Sequence, residues 1–355
     1  MQNIIYEKNK ILKKDLLDSL DLDIEFSYFK KKKFFIIGGS GFIGSNIVKS
    51  LLLMSDLYSL NLEVYCGYRN SNNINKNLSE WSNHPNLQKI ECDISKINQF
   101  PKIDFDFIIH SASIANPISY IGNEEEIINS NIDGTINILN NIKIDNLEKY
   151  IYISSGEVYG ILDVDFIDEQ VYGSIDPKNS RSIYPLSKKL SEALTFIKGA
   201  SSNLKYNIVR PFHIYGPGMN LKDGKIHSDI IKSILTNSPI YLHSNGESIR
   251  SFCYISDATR AILTVLFKAK PSMVYNIGNN TQTISILDLC NLNLKRSKKK
   301  LELVFDRSDF YKQSPILKSI PSTKNLEKLG WLPKIDIETG FDRTIKYYSS
   351  LKNDF

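Results

Sequence analysis

Tyr184 and Lys188 stand four residues apart, one helical turn, in Tyr184-Pro185-Leu186-Ser187-Lys188. A phenol has a pKa near 10 in water and is a poor base at neutral pH, but an ammonium one turn away favours the phenolate. Such a pair can take a proton from an alcohol and return it. Upstream, Ser154-Ser155-Gly156-Glu157-Val158-Tyr159-Gly160 follows the apolar run 150–153. Ser155 there offers a hydroxyl to the oxygen that loses its proton, and Glu157 adds a carboxylate. An alcohol that loses its proton in this way also gives up a hydride, and Gly38-Gly39-Ser40-Gly41-Phe42-Ile43-Gly44 supplies a place for the acceptor. These residues describe a nicotinamide-dependent redox enzyme.

The elements that position these groups follow from the pattern. Phe34 to Ile37 reads as a buried strand, and the stretch from Phe42 to Met54 reads as a helix, so the glycines lie on a strand–turn–helix corner. Gly38 permits the turn, Gly41 lets a pyrophosphate approach the backbone, and Gly44 lets the helix sit close to the strand. At the end of the next strand Gly67 occupies the place of a ribose-binding carboxylate and Arg69 follows two residues on. An acid would favour NAD and an arginine NADP, so the cofactor is NAD or NADP, inclining to NADP. Asp93, with Ile94, closes a third strand and suits the adenine amine. Ser111, Ala112 and Ser113 end a fourth strand in small residues that leave room for the cofactor.

Taken as a set, these motifs resemble the extended short-chain dehydrogenases/reductases of the nucleotide-sugar epimerase/dehydratase family, over residues 33 to 350. Asn131-Ile132-Asp133-Gly134-Thr135 is similar to the family's N-x-x-G-T helix, and Arg210-Pro211-Phe212-His213-Ile214-Tyr215-Gly216-Pro217 to its R-P-x-x-x-Y-G-P segment. Arg250 to Asp257 resembles R-x-F-x-Y-V-x-D, whose arginine grips the nucleotide diphosphate. Tyr275-Asn276-Ile277-Gly278 and Leu329-Gly330-Trp331-Leu332-Pro333 match in order and spacing. The resemblance implies a cofactor site of Gly38, Ser40, Gly41, Phe42, Ile43 and Gly44, joined by Arg69, Asp93, Ile94 and Ser111 to Ser113. It adds Asn131, Ser154, Tyr184, Lys188, Pro211 and His213 to that site. For the substrate, a nucleotide-diphosphate sugar, it implies Ser155, Gly156, Glu157, Tyr184, His213 and Arg250.

In that family Tyr184 would take the proton of the sugar 4-hydroxyl while C4 is oxidised, and the neighbouring C–H bonds of the 4-keto sugar become acidic. Glu157 favours a 4,6-dehydratase, because dehydratases and uronate decarboxylases carry S-T-x-E-V-Y-G at this loop and this chain resembles them in having the glutamate. Gly156 departs from the dTDP-glucose dehydratases, which have an acid there to protonate the leaving hydroxyl, whereas GDP-mannose dehydratases resemble this chain in lacking it. A C4 epimerase, an NADPH-dependent 4-keto reductase and a catalytically silent nucleotide-binding protein are the alternatives, although a silent binder has no need of Tyr184 and Lys188. The resemblance also implies a cell-surface polysaccharide pathway and a homodimer packed through helices at 125–141 and 184–197.

Composition sets the remaining bounds. The 355 residues, 42% of them apolar, accommodate a nucleotide domain and a smaller cap. With 44 basic against 39 acidic residues the net charge is +5. The short lysine runs read as solvated faces, not as a nucleic-acid surface. Cys66, Cys92, Cys253 and Cys290 are scattered, which points away from a metal site or disulfide framework and towards a reducing cytoplasm. Apolar runs are too short for a membrane span, and the N-terminus has no apolar signal core. Residues 1–32 carry apolar residues at helical spacing and form an amphipathic extension, expected to pack on the same chain. The fold expected is α/β: a Rossmann doubly wound parallel sheet over 33–210, rejoined by 250–279. A smaller cap would be built from 211–249 and 280–355. The asparagine-rich stretch Asn70 to Asn77 reads as loop.

Overall fold

The computed structural model describes residues 9–96, 99–120, 122–306 and 316–351. Six apolar runs become the parallel strands β1 (Lys33–Ile37), β2 (Glu63–Tyr68), β3 (Leu87–Glu91), β4 (Phe107–His110), β5 (Lys149–Ile153) and β6 (Tyr206–Pro211). A seventh strand, Met273–Ile277, pairs in parallel with β6 at one edge. From that edge the order runs through β6, β5, β4 and β1 to β2 and β3. Chain order reverses between β1 and β4, both of which end where Ile37 pairs with Gly67 on one side and His110 on the other. Ligands of open parallel sheets bind beyond the carboxyl ends of the strands at such a reversal. The glycine turn leaves β1 at that place.

Both faces of the sheet are covered, which explains why β4 and β5 are buried along their whole length and read as unbroken apolar runs. Phe34, Ile36, Val64 and Ile109 meet α2 (Phe42–Leu57) on one face, together with the later helix Ile255–Lys268. Phe35, Ile37, Ile108 and Tyr152 meet the helices 134–141 and 183–201 on the other. Outside the first of these layers, against α2 and the helix Ile255–Lys268, lies α1 (Lys10–Ser19) of the N-terminal extension. Its Leu12 and Leu16 are buried, and Tyr254 donates to Asp15 at 2.7 Å. Arg343 bridges Asp15 and Asp18, each at 2.7 Å. The extension is therefore bound to the body of its own chain, while residues 1–8 lie outside the described residues.

Two local readings differ from expectation. Residues 71–77 form α3 (Ser71–Asn77), because Asn70 caps it by accepting the Asn72 N–H; asparagine is a cap former as well as a loop former. The segment expected as one helix at 125–141 is α4 (Glu124–Ile128), a π turn at Asn129–Asp133 and α5 (Gly134–Asn141). The turn is fixed at Asn131, whose carbonyl accepts from both Thr135 and Ser191. π turns of this kind recur at functional sites. The site helix α6 (Ile183–Ser201) lies in the second layer against α4 and α5, α8 (Ile255–Lys268) lies in the first against α1 and α2, and α7 (Ile226–Thr236) packs on α9 (Ile286–Ser297) and on the C-terminal helix Ile337–Ser350. Short pairings complete it, with 249–251 between 283–285 and 318–319.

Candidate active site

Gly38 adopts φ +76, a backbone that disfavours other residues, and a Cβ there would stand 2.6 Å from the Ala112 backbone. At Gly44 a Cβ would meet the Gly38 carbonyl oxygen at 2.3 Å and the Ser111 Oγ at 2.8 Å. Strand, turn and helix are thus in contact only because these positions lack side chains. Gly41 caps α2 with no side-chain hydrogen bond, so the first N–H groups of a sixteen-residue helix keep their donors free of side-chain acceptors. That arrangement fits the pyrophosphate of a dinucleotide. Phe42, Ile43 and Pro211 line the cavity that opens beside it. The Ser40 carbonyl is held by Asn77 at 2.7 Å, and Ser111 donates to the Ile37 carbonyl.

Around the adenosine end the expected groups are partly engaged elsewhere. Asp93 accepts from the Ser95 N–H and hydroxyl. Ile94 is buried against Gly134, where a Cβ would approach it to 2.6 Å. Arg69 is paired with Glu126 of α4 at 2.7 Å, so its guanidinium already has a carboxylate.

Tyr184 opens α6, and its hydroxyl is in hydrogen-bonding contact with Ser155 and Ser113. A closed set of bonds holds this arrangement: Ser113 donates to Asn131 Oδ1 at 2.8 Å, Asn131 Nδ2 to Ser187 at 2.9 Å, and Ser187 to the Tyr184 carbonyl. The Tyr120 ring stacks on Tyr184 with centroids 4.8 Å apart. Ser154 Oγ is buried without a partner among the described residues, as expected of a group that meets a bound nicotinamide. Lys188 is also present one turn further along α6. Its Nζ donates to the Ile153 carbonyl at 2.6 Å and lies over the Tyr152 ring, and burial pushes it down to about 7. Tyr184 is pushed up, first by burial and then by the charge of Glu157. Burial, and not Lys188, sets the direction of the Tyr184 shift.

Ser155 accepts from the Glu157 N–H at 3.1 Å, capping the short turn Gly156–Tyr159. Ser155, Gly156 and Glu157 line a cavity of about 450 Å³ with His213, Arg250 and residues of α7. Arg250 donates to the carbonyls of residues 249, 316 and 317, and burial lowers it to about 10. His213, at φ +43, shares a hydrogen bond with Ser319 at 3.3 Å. Burial and then Arg250 keep its imidazole well below the usual range, hence neutral. Arg181 and Lys225 add positive charge to the same wall, and the pattern gave no warning of either. Arg181 lies one turn before Tyr184 and enters the site only because α6 begins there. No cluster of histidine, cysteine and acid side chains suited to a metal occurs among the described residues, and no helix there is long and apolar enough to cross a membrane. The four cysteines are buried and free.

The description "NAD dependent epimerase/dehydratase family" matches residues 34–278, well over half of the chain. The chain belongs to that family. It is accordingly an NAD-dependent enzyme of the extended short-chain dehydrogenase/reductase type. Among curated relatives, UDP-glucuronic acid decarboxylase 5 of Arabidopsis thaliana is 29% identical over 314 residues, 86% of either chain. UDP-glucuronic acid 4-epimerase of Bacillus cereus superposes with a TM-score of 0.76 at 24% identity, covering 90% of this chain and 99% of that one. The dTDP-glucose 4,6-dehydratase DesIV of Streptomyces venezuelae gives 0.75 at 22%, covering 89% and 96%. At these identities the two solved structures establish the fold alone.

Proposed function

We propose that this enzyme oxidises a nucleotide-diphosphate hexuronate at C4 and releases its C6 carboxylate as carbon dioxide. The observation that carries this reading is Gly156. A Cβ there would meet the Phe212 ring at 2.8 Å, so the residue beside Glu157 has no room for the acid that protonates the leaving 6-hydroxyl in dTDP-glucose dehydratases. Loss of carbon dioxide from a 4-keto uronate needs no such acid. The carboxylate is β to the new carbonyl, the C5–C6 bond breaks, its electrons pass into the C4–C5 enolate, and a proton taken up at C5 restores the 4-ketone before hydride returns to C4. The cations Arg181, Lys225 and Arg250 suit a substrate bearing both a diphosphate and a carboxylate. The identity to a UDP-glucuronic acid decarboxylase over most of both chains supports the same reading.

When bound, NAD would supply the acceptor for the C4 hydride and its later donor. The protein's share is to move protons: Tyr184 takes the 4-hydroxyl proton, Ser155 holds that oxygen as it becomes a carbonyl, and Lys188 orients the ring-side groups. The second reading, 4,6-dehydration, is favoured by Glu157, which stands beside Ser155 where a C5 base would act. Mass spectrometry of UDP, GDP, CDP and dTDP hexoses and hexuronates incubated with enzyme and NAD separates the two. A product lighter by carbon dioxide supports decarboxylation, and one lighter by water overturns it in favour of dehydration.

A homodimer belongs to the same proposal. Leu190, Phe196 and Ile197 on α6 and Ile136 on α5 are exposed on one flank. Phe196→Glu should shift the light-scattering mass from two chains to one; an unchanged mass would remove this flank from the interface.

A further inference from the structure

A second cavity, of about 340 Å³, lies away from the catalytic one. Its volume falls within the range of small-molecule sites, roughly 300–1,000 Å³. It forms where the N-terminal extension meets the body: Leu12 of α1 closes one side, Lys49 of α2 and Trp81 the back, and Tyr347 of the C-terminal helix the other side. Three buried lysines occur among the described residues. Lys149 donates to the carbonyls of Val265 and Ala269, and Lys188 to that of Ile153. Lys49 is 4% exposed, yet no hydrogen bond or ion pair with a described residue reaches its Nζ. Burial pushes it down to about 8, with the charge of Glu80 opposing weakly. The Lys49 Nζ opens into the cavity, and an ammonium with no acceptor there among the described residues is left to whatever fills that space. Lys76 and Lys222 stand in the same wall, giving three ammonium groups against one carboxylate.

We propose that this cavity is a second binding site, taking a small phosphate-bearing organic molecule whose anionic group seats on Lys49 and whose body lies against Trp81 and Tyr347. Phosphate suits three ammonium groups because it presents several strong acceptor oxygens and up to two charges. The site reaches the catalytic one through two covalent and hydrogen-bonded routes. Asn77 in its wall holds the Ser40 carbonyl of the glycine turn at 2.7 Å, and its loop Met219–Lys222 runs directly into Gly224–His227 of the substrate cavity. The proposal does not depend on which reaction occurs there.

The test uses the full chain at saturating NAD, with tryptophan fluorescence read during titration by adenosine 5′-monophosphate and by inorganic phosphate. Trp81 lines the cavity, whereas the other tryptophan, Trp331, is buried in the core against Asp257. A saturable change is expected in the wild type. It should weaken about tenfold in Lys49→Met, the equivalent of losing one charge-assisted bond, and persist in Arg250→Met. The exposed pair Lys76→Ala/Lys222→Ala should weaken it as well, and that variant leaves the core intact should Lys49→Met fail to fold. No saturable change, full affinity in both lysine variants, or a loss that follows Arg250→Met instead would each overturn the proposal.

Discussion

Replacing Lys188 with Met should stabilise the free protein at neutral pH and do so less as pH rises. Lys188 is 1% exposed and its folded pKa lies at about 7, below its ordinary value of 10.5. Between these values the unfolded chain binds a proton that the folded chain has released, so stability rises with pH across the window, by about 1.4 kcal/mol per pH unit. At pH 7 the wild type therefore carries a cost of about 4 kcal/mol for this side chain, and at pH 9 about 2 kcal/mol. Lys188→Met abolishes the titration, and its own packing change and the lost bond to Ile153 are the same at either pH. Urea unfolding of both proteins followed by circular dichroism at pH 7, 8 and 9 should show the gap closing by about 2 kcal/mol. A gap that stays constant across the series would mean that Lys188 keeps its proton well above neutrality. The account of Tyr184 as a phenol that its lysine alone does not acidify would then fall.

Three further outcomes follow from the site. Tyr184→Phe should lose turnover by roughly 10²–10⁴-fold, the usual share of a general acid–base group, while NAD still binds; retained activity would remove the phenol from the chemistry. Gly44→Ala should weaken NAD by at least about tenfold, because its Cβ would sit 2.3 Å from the Gly38 carbonyl oxygen and push α2 off the turn; equilibrium dialysis with NAD measures this, and unchanged affinity would refute the close-packed corner. Glu126→Gln frees Arg69 from a half-exposed ion pair worth about 0.2–1 kcal/mol, so the NADP-to-NAD affinity ratio should rise by up to roughly fivefold; no rise would mean that Arg69 does not face the ribose.

The corner of β1, glycine turn and α2 was legible because its requirements are local: a buried strand, positions without Cβ, and a helix start lie within one stretch of chain. Ser155, Tyr184 and Lys188 were legible as candidates for a similar reason, since one loop and one helical turn bear them. Asn70 to Asn77 was misread because capping and looping use the same side chain, and the choice depends on whether Asn77 finds the Ser40 carbonyl. The π turn at Asn131 was invisible because Ser191, which helps to hold it, is 60 residues away.

Residue types and spacing by themselves therefore determined the fold class and the family. Tertiary structure decided the electrostatics. A pKa depends on burial and on charges brought close from distant parts of the chain, so only the folded state puts Lys188 near 7 and Tyr184 above its ordinary value. It likewise places the Phe212 ring against Gly156, gathers Arg181 and Lys225 beside Arg250, and leaves Lys49 buried beneath the N-terminal helix without an acceptor among the described residues. Sequence spacing carries no record of those distances.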